Sequence, residues 1–437
     1  MVTLPGTGEY VLNQSITATW SATDALSGVV APVSGTVSID TSSVGTKTFT
    51  LPAGTAKDKA GNSSLKVTKS YSVIAATEEP VIEDPDTVYP QKWATGTGTA
   101  SNPWAGDCLN DAYTACPNGG TIYLRAGYYQ LAGAVGINKE INIIGEGMGK
   151  TFIVVADGCY GITVGEDHVT LKGFTIDGAA QTAGDFPLIN ASNCDYLIVE
   201  DIEAKNGITT GIQPFECNYS LFQNIYTHDN GYFGTHPTSW TTGRNCYNTW
   251  NYIYAYDNTK QGIDDGPQVL VHNNTYNNIH AWDNGGFGIA LENQIGLVLS
   301  NSSTSGNGAW GMYLSGIKDS TISNCLVTLN STFGIHLATG DFASFGGNNV
   351  NFTNVIVKNN NKTGIKLYDC ADITFTSCQS YDDRDTPLQQ YGLELNDNTN
   401  TGISLLNCKL SPNKDGEIYN PSGVAVLVIT DKMLAKF

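Results

Sequence analysis

Apolar and polar residues alternate with a period of two over short runs, and the runs recur. Between Gly211 and Lys366 one phrase returns seven times: Gly211-Ile212-Gln213, Gly234-Thr235-His236, Gly262-Ile263-Asp264, Gly288-Ile289-Ala290, Gly311-Met312-Tyr313, Gly334-Ile335-His336 and Gly364-Ile365-Lys366. Its glycines are 23, 28, 26, 23, 23 and 30 residues apart. An apolar residue follows each glycine except at Thr235, and Leu291, Leu314, Leu337 and Leu367 close the alternation. That pattern predicts a short strand with one buried face. Runs at 219–222, 296–299, 320–322 and 350–352 predict a second strand, and runs at 224–226, 278–280, 325–327 and 355–357 a third. Between them stand Asp229-Asn230-Gly231, Asp283-Asn284-Gly285 and Asn359-Asn360-Asn361, residues that tolerate left-handed backbone. Three strands per coil, with no helical period between them, predict an all-β fold. It is a right-handed parallel β-helix, a solenoid whose inward apolar residues stack into one core.

Such a coil aligns outward residues at about 4.8 Å intervals. The first outward column reads Gln213, His236, Asp264, Ala290, Tyr313, His336, Lys366; the second, two residues on, reads Phe215, Thr238, Gly266, Glu292, Ser315, Ala338, Tyr368. Together they are expected to form one exposed face. A purely structural ladder would hold Thr, Asn, Val or Ser. Titratable groups crowded on neighbouring coils cost stability, which points to function.

Composition narrows the classes. The net charge is −19, which argues against nucleic acid or an anionic membrane as partner. No apolar run is long enough for a transmembrane helix, so no membrane insertion is expected. No secretory leader follows Met1, so the sequence is expected to be a trimmed piece of a secreted or cell-surface protein, and a monomer. The ten cysteines are expected to be inward fillers rather than a disulfide framework. Cys194, Cys217 and Cys246 are read as one place in consecutive coils, and Cys325, Cys378 and Cys408 as another. Cys108 and Cys116 flank a predicted helix and could form one disulfide.

Residues 1–76 read as a separate small β-sandwich, with strand runs spaced by turn signals. Its stretches Trp20-Ser21-Ala22-Thr23-Asp24 and Ala56-Lys57-Asp58-Lys59-Ala60-Gly61-Asn62 resemble bacterial immunoglobulin-like domains, which implies an extracellular spacer or adhesive module. Residues 77–88 form an acidic, Pro-containing linker, and 89–437 the solenoid. Beyond Asp86 the chain carries 17 basic and 32 acidic side chains, so the solenoid itself is acidic. A short helix near Cys108–Tyr113 is expected to cap its open end. The phrases Gly119-Gly120-Thr121-Ile122-Tyr123-Leu124, Ile141-Asn142-Ile143-Ile144-Gly145 and Val169-Thr170-Leu171-Lys172-Gly173-Phe174-Thr175-Ile176-Asp177-Gly178 resemble the pectin-lyase-like superfamily, nearest to the catalytic modules of secreted mannuronan C5-epimerases. The likeness implies a parallel β-helix acting on polysaccharide. That family carries a Tyr-Gly-Phe-Asp-Pro-His-Glu signature; the matching stretch here is Thr210-Gly211-Ile212-Gln213-Pro214-Phe215-Glu216. Thr210, Gln213 and Phe215 replace its Tyr, Asp and His, so those catalytic roles do not carry over.

Three functions compete. The preferred one is C5 proton abstraction on a uronate polysaccharide, ending in β-elimination (a lyase) or reprotonation (an epimerase). It needs a base, His236 or His336, and a proton donor, Tyr313. It also needs a neutraliser: Lys366, Arg244, or a Ca²⁺ held by Asp264, Asp265 and Glu292. No organic cofactor is expected. The second is an inverting glycoside hydrolase with Asp264 and Glu292 as its carboxylate pair; Gly262-Ile263-Asp264-Asp265-Gly266 is faintly similar to polygalacturonase-like hydrolases, whose Gly-His-Gly and Arg-x-Lys partners are missing. The third is a non-catalytic glycan binder. Gln213, Arg244, Trp240, Trp310 and Tyr368 are the candidate substrate contacts. Trp250, Trp282, His228, His272 and His280 are expected to serve packing and turns. Loops at 237–245, 340–348 and 382–387 interrupt the period and are expected to wall a groove.

Overall fold

The structure is a computed structural model. It describes all residues except 1, 4–8, 12–14, 31–32, 75–85, 341, 344–345, 396–398 and 431–437. The chain divides into two compact units, 1–83 and 84–437.

The first unit consists of small, mostly antiparallel sheets. Ile16–Ser21 pairs with Ser34–Ile39, and Gly45–Leu51 with Val67–Ile74. Tyr10, Ala18, Trp20, Phe49, Tyr71 and Val73 fill its core. Most of the acidic linker lies outside the described residues. Its end differs from expectation: Thr87 and Val88 pair in parallel with Thr121 and Ile122 and already belong to the solenoid. Outward Tyr123 and Tyr89 pack ring to ring there, which a free linker would not offer.

The second unit is a parallel β-solenoid. One sheet, here called the front sheet, runs from Val135–Ile137 through Ile189–Ser192, Ile212–Phe215, Ile263–Asp265, Ile289–Glu292, Met312–Ser315 and Ile335–Ala338 to Gly416–Tyr419. Single bridges at Thr235 join its two halves, Ile212 to Thr235 and Thr235 to Ile263. A second sheet takes the other two strands of each coil. In the middle coils those two strands are one eight-residue strand, such as Leu221–His228 or Thr275–Trp282. They turn a corner at Asn224, Tyr252 and Asn278, all with positive φ. The helix Cys108–Ala115 buries Cys108, Leu109 and Ala112 against the first coils, as a cap requires.

Two interior features explain the repeat. Asn230, Asn258, Asn284, Asn307, Asn330 and Asn360 stack coil upon coil, each amide donating to the next side-chain oxygen at 2.9–3.0 Å. They satisfy backbone groups that the turns leave unpaired inside the core. The recurrent glycine lies against this ladder: a Cβ on Gly288 would sit 2.7 Å from the Asn307 amide and 2.8 Å from the Gly311 carbonyl. Only glycine fits. Phe222, Trp250 and Tyr276 form a second interior stack, with the first two rings 3.8 Å apart.

All ten cysteines are free thiols, Cys108 and Cys116 included. Cys194 and Cys217 do face each other on adjacent coils, and Cys378 follows Val355 in one column that continues to Cys408. Cys246 is displaced by one residue. Tyr196, Tyr219 and Tyr247 are in register, so Asn245, two residues before Tyr247, takes the cysteine's place, and the Cys246 thiol turns to the Gly243 carbonyl.

Candidate functional site

The front sheet holds the first outward column in the predicted register. Asn190 pairs with Gln213, Asp264 with Ala290, Ala290 with Tyr313, Tyr313 with His336, and His336 with Lys366. The column continues to Glu394, which the sequence reading passed over although Gly392-Leu393-Glu394 repeats the phrase. Much of this face is covered rather than open: Ala290, Thr238, Ser315 and Ala338 are all buried. Gly340 and Ala343 lie against one edge, where a Cβ on Gly316 would meet that of Ala343 at 2.6 Å.

Its centre is an imidazole held by a carboxylate. Nδ1 of His236 lies 2.8 Å from the Asp264 carbonyl oxygen and 3.1 Å from its Oδ2. Burial pulls the imidazole pKa down, but the hydrogen bond and charge of Asp264 outweigh it, so His236 ends above its ordinary value. That shift favours its protonated form and weakens it in the expected role of general base. Asp264 itself is 8% exposed. On the next coil the Ser315 hydroxyl donates to Glu292 Oε2 at 3.0 Å. Gly266 lies between the two carboxylates. A Cβ there would be 3.9 Å from Asp264 Oδ2 and 4.0 Å from Glu292 Oε1. Both oxygens thus border the space that a side chain at Gly266 would occupy, here called the hollow, and are no more than about 8 Å apart, an upper limit that admits both the separations of about 5–5.5 Å and those of roughly 6.5–9.5 Å that paired glycosidase carboxylates use.

Asp265 is elsewhere. Strand alternation turns it inward, and it is fully buried. Tyr276 Oη, Asn245 Nδ2 and Gln294 Nε2 all donate to it. Burial pushes its carboxyl up to about 7 despite those donors. It cannot share an outward ion with Asp264 and Glu292. Among the described residues no three His, Cys, Asp or Glu side chains gather as a metal site. Arg244 is also committed: its Nη2 holds Asp195 at 2.6 Å and its Nε the Glu216 carbonyl at 2.9 Å. It anchors loop 237–245 instead of standing ready for a substrate carboxylate.

Further along, Phe287 and Trp310 stack at 4.5 Å, and Tyr313 and Phe333 complete an aromatic cage around His336. Both ring nitrogens of His336 are buried without a protein partner among the described residues. Burial and the nearby Lys366 hold its pKa down, at about 4, so it is neutral at pH 7. Lys366 pairs with Glu394 at 3.5 Å and lies over the Phe333 ring. Tyr368 stands exposed on the second column. Trp240 is exposed on loop 237–245, whereas Trp250 is wholly interior. His228 sits between Glu203 and Asp229 on the second sheet, away from this face.

Comparison with known proteins agrees with the fold. The family profile "Right handed beta helix region" matches residues 235–379 and 269–432. Mannuronan C5-epimerase AlgE3 of Azotobacter vinelandii is 29% identical over 167 residues, which is 32% of this chain and only 9% of that protein. The A-module of the mannuronan C-5 epimerase AlgE6 from the same organism superposes with a TM-score of 0.56 at 15% identity, covering 78% of this chain and 99% of that one. The catalytic domain of a GH87 alpha-1,3-glucanase in complex with nigerose gives 0.53 at 14% identity, covering 85% and 73%. At such identities the superpositions speak for the right-handed β-helix architecture alone.

Proposed function

We propose that this chain is a polysaccharide-active enzyme that hydrolyses a glycosidic bond over Gly266, between Asp264 and Glu292. The observation that carries this is the convergence of Asp264 Oδ2 and Glu292 Oε1 on the hollow above a residue without a side chain. Asp264, held by His236, is placed as the carboxylate that activates water, and Glu292 as the acid that protonates the leaving oxygen. The surroundings favour an uncharged substrate. The nearby basic side chains His236, Arg244 and Lys366 each already hold a carboxylate, and the solenoid is acidic overall. The similar proteins, an epimerase of mannuronan and an alpha-1,3-glucanase, support polysaccharide as the substrate class.

A second reading, C5 proton abstraction on a uronate, is favoured by one feature: His336 is neutral, has both nitrogens unspent and stands beside Tyr313. The experiment separates the two. The protein is incubated with α-1,3-glucan, other neutral glucans, alginate and pectate, with and without Ca²⁺. Reducing ends and ultraviolet absorbance are followed together. New reducing ends without absorbance, reduced at least about 100-fold in E292Q and D264N, support hydrolysis. Absorbance on a uronate, lost in H336L, transfers the function to the lyase reading. C5 proton exchange without cleavage makes it an epimerase, and silence throughout leaves a glycan-binding protein.

A further inference from the structure

Two coils before the hollow, the stretch Gln213-Pro214-Phe215-Glu216 stands where the epimerase resemblance would have put catalytic Asp and His. Its outward residues, Gln213 and Phe215, share a face by strand alternation and are half-buried. Trp240 lies against Phe215 edge to face, ring centroids 4.9 Å apart at 70°. Trp240 is 55% exposed, which leaves a large apolar residue in water, unlike interior Trp250.

The loop that presents Trp240 is braced from several sides. Glu216, itself buried, accepts the Trp240 amide at 2.9 Å and the Thr241 amide at 3.3 Å on one carboxylate oxygen. Its other oxygen is buried and without a partner among the described residues. Arg244 ties the loop's far end to Asp195 and to the Glu216 carbonyl. Thr238 donates to the Gly266 carbonyl, and the Gln268 amide to Ser239. A buried carboxylate and an ion pair are thus used to fix one exposed indole. A loop with no task for that ring would gain by burying it or by dispensing with the charges.

We infer that Trp240, Phe215 and Gln213 form a binding subsite for an uncharged pyranose ring of the substrate chain. The inference rests on reading this face as a polysaccharide site and names the substrate class for it. The apolar C–H face of a pyranose lies on the indole, and the Gln213 amide offers both a donor and an acceptor to its hydroxyls. A uronate is disfavoured at this place: Glu216 and Asp195 lie beside it, Arg244 is already held by Asp195, and His236, one coil on from Gln213, is already paired with Asp264. From Gln213 to Asp264 is two coils, about 10 Å along the axis. The subsite therefore takes a sugar near, and not at, the bond being cleaved.

The test measures binding without turnover. Neutral oligosaccharides cut from α-1,3-glucan and mannuronate oligosaccharides of equal length are titrated into E292Q protein, read by affinity electrophoresis and by tryptophan fluorescence. W240A and W240F are made in the same background, with circular dichroism confirming the fold. Neutral chains binding more tightly than mannuronates, with affinity lowered at least ten-fold in W240A and partly kept in W240F, establish the subsite. Equal affinity in W240A, tighter binding of mannuronates, or binding of neither overturns it. Wild-type turnover is scored separately. Binding that depends on Trp240 in a protein that never releases reducing ends would sink the hydrolase reading and leave the subsite standing.

Discussion

Asp265 and His336 give opposite, separable signatures in the pH dependence of stability. Asp265 is raised from 3.8 to about 7 by burial. Its carboxyl binds a proton more tightly in the folded chain, so its contribution falls as pH rises from about 4 to about 7. A displacement of about three pH units is worth about 4 kcal/mol. His336 is lowered from 6.5 to about 4, first by burial and then by Lys366. Its ring binds a proton less tightly when folded, so its contribution rises over about pH 4 to 6.5, by about 3 kcal/mol. The two nearly cancel in the wild type. In D265N the His336 slope is exposed, and stability should climb by about 3 kcal/mol across that window. In H336L the Asp265 slope remains, and stability should fall by about 4 kcal/mol toward pH 7. His228 and His236, both raised, begin to lose their contributions at about pH 6.5, at the top of the window, and His280, lowered by burial, adds to the His336 slope in every variant, so each is read as a difference from the wild type. The assay is urea unfolding at half-unit pH steps, read by the fluorescence of tryptophans that include the wholly buried Trp250. A D265N-minus-wild-type difference that stays constant from pH 4 to 7 would refute the reasoning, because it would mean Asp265 does not change protonation on folding.

Two further perturbations follow from the coil geometry. Replacing Asn284 by Ala removes the acceptor of the Asn258 amide N–H and side-chain N–H, and the donor to the Ala255 carbonyl. With each orphaned buried group worth about 1–3 kcal/mol, the loss should be about 3–5 kcal/mol. It is checked by urea midpoint and by faster exchange of the Asn258 amide; a change under 1 kcal/mol would mean the ladder is not structural. At Gly266 a methyl would make only ordinary contacts with the two carboxylate oxygens, so G266A should fold with a change below about 1 kcal/mol. G266V, which fills the hollow, should keep the fold yet lose at least ten-fold in kcat/KM; unaltered turnover would place the chemistry elsewhere.

The period of the glycine phrase made the architecture and the ladder register readable, because a parallel coil has one residue per coil in each column and few ways to slip. The inward turn of Asp265 was readable by the same rule, since Asp264 faces outward and neighbours on a strand alternate. Grouping both as one ion site contradicted that alternation. Cys246 was misplaced for a similar reason: its distance to the following tyrosine is one residue, against two for Cys194 and Cys217. What the pattern did not hold was pairing between coil and loop. Arg244 meets Asp195 across 49 residues, and nothing in either neighbourhood announces it. The same holds for the burial of Thr238, Ser315 and Ala338 on a face the alternation turns outward. Those loop contacts decide the chemistry. The coil sets the spacing of a face in steps of about 4.8 Å, while the neighbours of each group decide which carboxylate is held in place, which imidazole stays neutral and which cation is already spent. Asp264 and Glu292 are set apart from the chain's other acids by His236 on one coil, Ser315 on another and the missing side chain of Gly266 between them, and this is why the proposed cleavage is placed over Gly266 and not along the longer row of titratable residues.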